Sequence, residues 1–124
     1  MQRPEALKAL LAELFADPGL VSRDMVEDLL KYKRLDGVDR ALRTIVGTVA
    51  PDGRQVLSYR DALGRLGQPV QVIWGTEDRI IPSSHADGLP DSVPVHRIAG
   101  KGHMVHMEAA AEVNRLLAEF LRAV

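Results

Sequence analysis

The sequence contains no cysteine, which excludes disulfides, zinc–thiolate sites and a cysteine nucleophile. No apolar run approaches the ~18 residues of a membrane span. The opening MQRPEALKAL also lacks the ordered regions of a signal peptide. Cytoplasmic is therefore the expected location, with no membrane partner. Neither charge dominates: 16 Lys and Arg face 17 Asp and Glu, a formal net charge of -1. That balance argues against a polyanion-binding surface. The densest basic cluster, KYKR from Lys31 to Arg34, is flanked by Glu27 and aspartates, so it reads as a solvated helix face. No nucleic-acid partner is expected. Repeats and low-complexity segments are absent as well. At 124 residues the chain is one domain at most, and its 46% apolar content supports a modest core.

What is present divides in two. Pro4 suits a first helical turn, and Leu7, Leu10, Leu11 and Leu14 recur at helical spacing until DPG, Asp17 to Gly19. Ser22 suits the N-cap of a second helix with Val26, Leu29 and Leu30 as its apolar stripe. Asp36 is the candidate cap of a third helix, which carries Val38, Leu42, Ile45 and Val46 on one side. APDGRQ, Ala50 to Gln55, is a turn. SYRD, Ser58 to Asp61, resembles a capping box for a short helix that stops near Gly67.

Beyond Gly67 the period changes. PVQVIW, Pro69 to Trp74, is short and rich in β-branched residues, which predicts a buried strand, and VPVHRI, Val93 to Ile98, predicts a second. The stretch between them is long enough for a crossover helix, with Ser83 and Ser84 capping it, so the strands are expected to run parallel. From about Ala109 a final amphipathic helix places Val113, Leu116, Leu117, Phe120, Leu121 and Val124 on one face, ready to cover the sheet.

Two residues carry the chemistry. Asp78 lies four residues beyond the first strand and His103 five beyond the second, both at the carboxyl edge where open α/β folds place their sites. Neighbouring strands are about 4.8 Å apart, so short loops can bring a carboxylate to an imidazole. The carboxylate then fixes the ring's tautomer and stabilises the imidazolium that forms on proton uptake. Gly100 and Gly102 flank Lys101 and allow a sharp turn that presents the ring. Taken alone, Asp78 is also an ordinary turn residue, and Glu77 is the competing acid. His106 and Glu108 hint at a metal site, but the spacing is not H-E-x-x-H and no third ligand is evident, so no metal is expected. His85 reads as solvent-facing and His96 as a surface or packing residue. Trp74 reads as core packing, and Met104 and Met107 as core filling or the lining of an acyl pocket.

WGTEDRIIP and GKGHMVHMEAAAEVNRLLAEFL together resemble the acid and histidine segments of the α/β-hydrolase fold family. Many relatives carry prolines where Val105 and Ala110 stand here. The earlier stretch LFADPGLVSRDMVEDLLKYKRLDGVDRAL is similar to the helical cap of the α/β-hydrolase-type dihydrolipoyl acetyltransferases, the E2 components of acetoin dehydrogenase complexes. The resemblance implies a partial α/β-hydrolase fold: a helical cap segment over 1–54, then over 55–124 two parallel strands, a crossover helix and a C-terminal amphipathic helix. It implies Asp78 and His103 as catalytic residues. For a longer parent protein it implies a lipoyl group, coenzyme A and a small acyl substrate.

The family's nucleophile sits in G-x-S-x-G, and no such motif occurs here. Ser22, Ser58, Ser83, Ser84 and Ser92 all lie in cap or turn contexts. The chain is therefore expected to be the C-terminal half of a larger acyltransferase, to be inactive alone, and to associate with itself or with the missing N-terminal half. An ester or carbon–carbon bond hydrolase of the same fold is the alternative enzyme. A non-catalytic helical interaction module is the alternative class.

Overall fold

Pro4 opens the first helix, where its fixed φ and missing N–H cost nothing. The computed structural model describes residues 4–124, so the first three residues of the expected cap segment lie outside the described residues. Helix α1 spans Pro4–Ala12, and the chain then tightens through Glu13, Leu14 and Phe15, whose N–H groups donate to the carbonyls of Leu10, Leu11 and Ala12. Asp17 turns the chain by accepting from Gly19 N at 2.9 Å. Helix α2, Arg23–Lys33, starts as expected on Ser22, whose Oγ accepts from Met25 N at 3.1 Å. The two helices close on buried Leu7, Phe15, Val21 and Val26, with Leu11, Leu14, Met25, Leu29, Leu30 and Met104 packed around them. Met104 comes from the far half of the chain, so this cluster joins both halves.

Helix α3, Val38–Val49, does not use Asp36. Gly37 holds the cap position at φ 82, a left-handed conformation that glycine adopts without strain, and no side chain caps it. Its apolar stripe forms but stays uncovered: Leu42, Ile45, Val46 and Val49 are all exposed. The expected capping box at SYRD also fails. Helix α4 is the single turn Arg60–Leu63, so Tyr59 is the cap residue and Ser58 falls outside the position from which a hydroxyl reaches the first free N–H groups. The helix ends at Gly64, short of Gly67.

Strands β1, Val72–Gly75, and β2, Val95–Ile98, pair in parallel, Val72 opposite Val95 and Gly75 opposite Ile98. Both begin later than the sequence pattern predicts. Proline has no N–H for a ladder, and Pro94 contributes only its carbonyl, which accepts from Val72 N at 2.8 Å. The crossover holds a 3-10 turn, Ser83–Ala86, and not a longer helix. Pro82 occupies its cap position, so neither Ser83 nor Ser84 caps it with a side chain.

After β2 come a single turn, α5, Val105–Glu108, and the long α6, Ala110–Ala123. Val113 and Leu116 are buried against Ile98, with Ile73, Val105 and Ala109 around them. Each such side chain contributes about 1.5–3 kcal/mol relative to exposure. The rest of the expected stripe is only partly used: Leu117, Leu121 and Val124 remain exposed. No helix among the described residues is long and apolar enough to cross a membrane.

Candidate active site

Gly75 closes β1 against the loop that follows β2. A Cβ there would lie 2.2 Å from Lys101 O and 2.3 Å from Gly102 O, so only glycine lets the two backbones meet. The loops then interlock. Thr76 N donates to Ile98 O at 3.1 Å, Gly100 N to Thr76 Oγ1 at 3.0 Å, and Glu77 N to Lys101 O at 2.8 Å. Gly100 makes its turn at φ 69. Gly102 has a different duty from the one its spacing suggested. A Cβ on it would sit 2.6 Å from Ala16 N, so the residue is small because another segment lies against it.

These contacts bring the expected pair together. His103 Nδ1 lies 2.9 Å from Asp78 Oδ2. Asp78 Oδ1 accepts from Ile80 N and Ile81 N, each at 2.9 Å, which folds the acid's own loop around its side chain. Trp74 Nε1 donates to Oδ2 at 3.0 Å and shares the same hydrogen with Ile81 O at 3.0 Å. The Asp78 side chain is only 4% exposed, that of His103 32%. Glu77, the competing acid, is exposed, and it is the Asp78 carboxylate that meets the ring.

Electrostatics follow from this geometry. Burial alone pushes the Asp78 carboxyl up. The Ile81 N–H, the His103 bond, the Ile80 N–H and the charge of the ring outweigh it and hold the group below the usual carboxylate range. An ionised carboxylate only accepts, so Nδ1 carries a proton, and in the neutral ring Nε2 keeps its lone pair. Nε2 is then the basic edge of a partly exposed ring. An open cavity of about 430 Å³ adjoins it, lined by Ile73, Trp74, Asp78, Ile81, His103 and Val105 among others. None of the five serines lines it. A larger cavity, about 570 Å³, lies between α1 and α2 and includes neither member of the pair.

Sequence reasoning missed three residues. Trp74 serves the acid directly, a role hidden because its indole reaches back across a four-residue turn. Arg79 donates through Nη2 to Ala12 O at 3.1 Å and Phe15 O at 2.8 Å, tying the acid loop to the end of α1. Glu108 accepts from Ala16 N at 2.8 Å, Asp17 N at 3.2 Å and, through its other oxygen, Gly102 N. Spacing placed Glu108 beside His106 as a metal candidate, whereas its oxygens are taken by main-chain donors. His106 and His85 are exposed, and His96 is half-buried on β2. Met104 fills the α1–α2 cluster. Met107 is exposed, and both methionines border an apolar depression with Leu14, Met25, Leu29 and Tyr32.

Comparison with known proteins agrees with this architecture. The family model described as "Alpha/beta hydrolase family" matches residues 1–116. The dihydrolipoyllysine-residue acetyltransferase component of the acetoin cleaving system of Pseudomonas putida is 49% identical over 117 residues, covering 94% of this chain and 31% of the relative. Its counterpart from Cupriavidus necator is 44% identical over 120 residues, covering 97% and 32%. Among solved structures, a meta-cleavage product hydrolase from Pseudomonas fluorescens superposes with a TM-score of 0.81 at 21% identity, over 99% of this chain and 47% of that one. The chain thus spans about a third of the curated acetyltransferases and about half of the hydrolase.

Proposed function

The chain belongs to the alpha/beta hydrolase family, and from that premise we propose that it supplies the acid and the base of an acyl-transfer site whose nucleophile lies outside these residues. The observation that carries the reading is the 2.9 Å contact between His103 Nδ1 and the buried Asp78 carboxylate, made by loops after two parallel strands. The acetoin-system names of the relatives at 49% and 44% identity support acetyl transfer as the specific reaction.

In this reading His103 Nε2 takes the proton of a hydroxyl or thiol nucleophile as that atom bonds to the carbonyl carbon of an acyl thioester. Asp78 stays ionised and stabilises the imidazolium. As the carbon–sulfur bond breaks, Nε2 returns the proton to the departing thiol. It then takes the proton of the acceptor thiol while that sulfur attacks the acyl-enzyme, and it re-protonates the nucleophile. The donor would be an acetylated dihydrolipoyl group and the acceptor coenzyme A. The cavity lining fits the uncharged thioester common to both. It holds no cation for the phosphates of coenzyme A, and Arg79 is committed to main-chain carbonyls. This cavity is therefore assigned the acyl-transfer chemistry.

The test is His103→Ala in the full-length protein, assayed for acetyl transfer between dihydrolipoamide and coenzyme A. Loss of the general base lowers kcat by about 10²–10⁴-fold. An unchanged kcat would leave the chain as a non-catalytic module. A relative from Burkholderia vietnamiensis named as a 2-hydroxy-6-oxononadienedioate/2-hydroxy-6-oxononatrienedioate hydrolase, 27% identical over 121 residues, supports a second reading, hydrolysis at the same pair. Turnover that depends on His103 but needs no thiol acceptor would select it.

A further inference from the structure

The loops that bear Asp78 and His103 are both anchored to one place, the turn that ends α1. Arg79 holds it from the acid side through the carbonyls of Ala12 and Phe15. From the histidine side, Met104 N donates to Leu14 O at 3.0 Å, and Glu108 accepts from Ala16 N and Asp17 N while its other oxygen accepts from Gly102 N. Glu108 thus joins Gly102 to Ala16, which lies 92 residues before Glu108 itself, with one half-buried carboxylate.

We propose that Glu108 is a positioning residue for His103, fixing the peptide immediately before the histidine against the end of α1 so that the ring stays on Asp78. The proposal rests on the reading of Asp78 and His103 as an acid–base pair. Three features set Glu108 apart from an ordinary surface acid. Its donors are main-chain groups, which cannot swing away as a lysine would. Gly102 is buried, and its missing side chain is what allows Ala16 to approach. Hydrogen bonds to an ionised carboxylate are roughly twice as strong as neutral ones. The backbone at 102 therefore has one seat, and the histidine follows it.

The experiment uses the full-length protein with Glu108→Gln and Glu108→Asp, alone and combined with His103→Ala. An amide oxygen can serve one of the two donor stretches but its NH₂ group faces the other, so Glu108→Gln lowers kcat by about 10- to 100-fold with KM little changed. Glu108→Asp keeps the charge and recovers part of the loss; it carries the test if the glutamine variant does not fold. In the His103→Ala background the same substitution has no further effect on kcat, because a residue acting through the histidine has nothing left to position. An equal loss in both backgrounds, or no loss in either Glu108 variant, overturns the proposal. Hydrogen–deuterium exchange of unmodified protein gives an independent readout: the Gly102 amide is protected, and free exchange there would equally overturn it. If His103→Ala itself leaves turnover intact, the acid–base reading fails instead.

Discussion

Asp78 shows how one side chain can be both a turn residue and a candidate catalyst. Its Oδ1 organises the loop through Ile80 and Ile81, and its Oδ2 serves Trp74 and His103. The turn reading is realised on Oδ1, and Oδ2 makes the contact with the ring that a catalytic reading requires. Because the folded group titrates below its ordinary value, the stability it contributes is complete above about pH 4, the usual range of a free carboxyl. It is lost as pH falls from there through the lower folded value. Urea midpoints of the unmodified chain and of Asp78→Asn, compared across that acid range, should differ most at its upper end and converge at its lower end. A gap that widens toward acid would contradict the direction of the shift. At this scale Asp78 and His103 were legible because acid and base after successive strands form a pattern. Trp74 was not, since a tryptophan ending a buried strand looks like packing whether or not its N–H has an acceptor. The caps expected from Asp36, Ser58, Ser83 and Ser84 fail for one shared reason. Capping depends on where the first helical residue falls, and a shift of one or two positions removes the hydroxyl or carboxylate from reach.

The elements matter through how closely they approach. Strand type, order and parallel direction were all readable from β-branched runs separated by a crossover-length stretch. Their ends were not, because pairing stops where proline withdraws a donor and not where apolar character stops. The tightest approach is at Gly75, where both neighbouring carbonyls lie within 2.3 Å of the position a Cβ would take. Gly75→Ala forces β1 and the histidine loop apart. It should cost at the extreme of single substitutions, about 4 kcal/mol or more by denaturant unfolding. A cost under about 1 kcal/mol would show that the loops give way easily. The final helix was legible as amphipathic, yet only Val113 and Leu116 of its stripe reach the interior. A periodic pattern reveals which face is apolar, and only tertiary structure decides how much of that face finds a partner.

Across the whole molecule, apolar surface exceeds what the described core can cover. The α3 stripe is bare, Leu117 and Leu121 of α6 face outward, and the sheet has two strands with no further neighbour on either side among the described residues. Such surfaces drive association. Alone in solution, the chain should sediment larger than a monomer at micromolar concentration, and Ile45→Glu on α3 should reduce that association. A monomer unaffected by the substitution would count against it. The family was legible from the paired acid and histidine motifs, and the model matching residues 1–116 agrees with it. The covering of these faces was not, because an apolar stripe does not specify what packs on it.

The claim on which the rest stands is that Asp78 holds His103 with Nδ1 protonated and Nε2 bare. Proton-detected NMR of the protein labelled with ¹⁵N in histidine reads that arrangement from the ring nitrogens. The account predicts, above the range in which Asp78 titrates and with the ring neutral, a proton on Nδ1 of His103, sheltered from exchange, whose signal disappears in Asp78→Asn. A ring with its proton on Nε2, or one insensitive to the loss of the carboxylate, would contradict it.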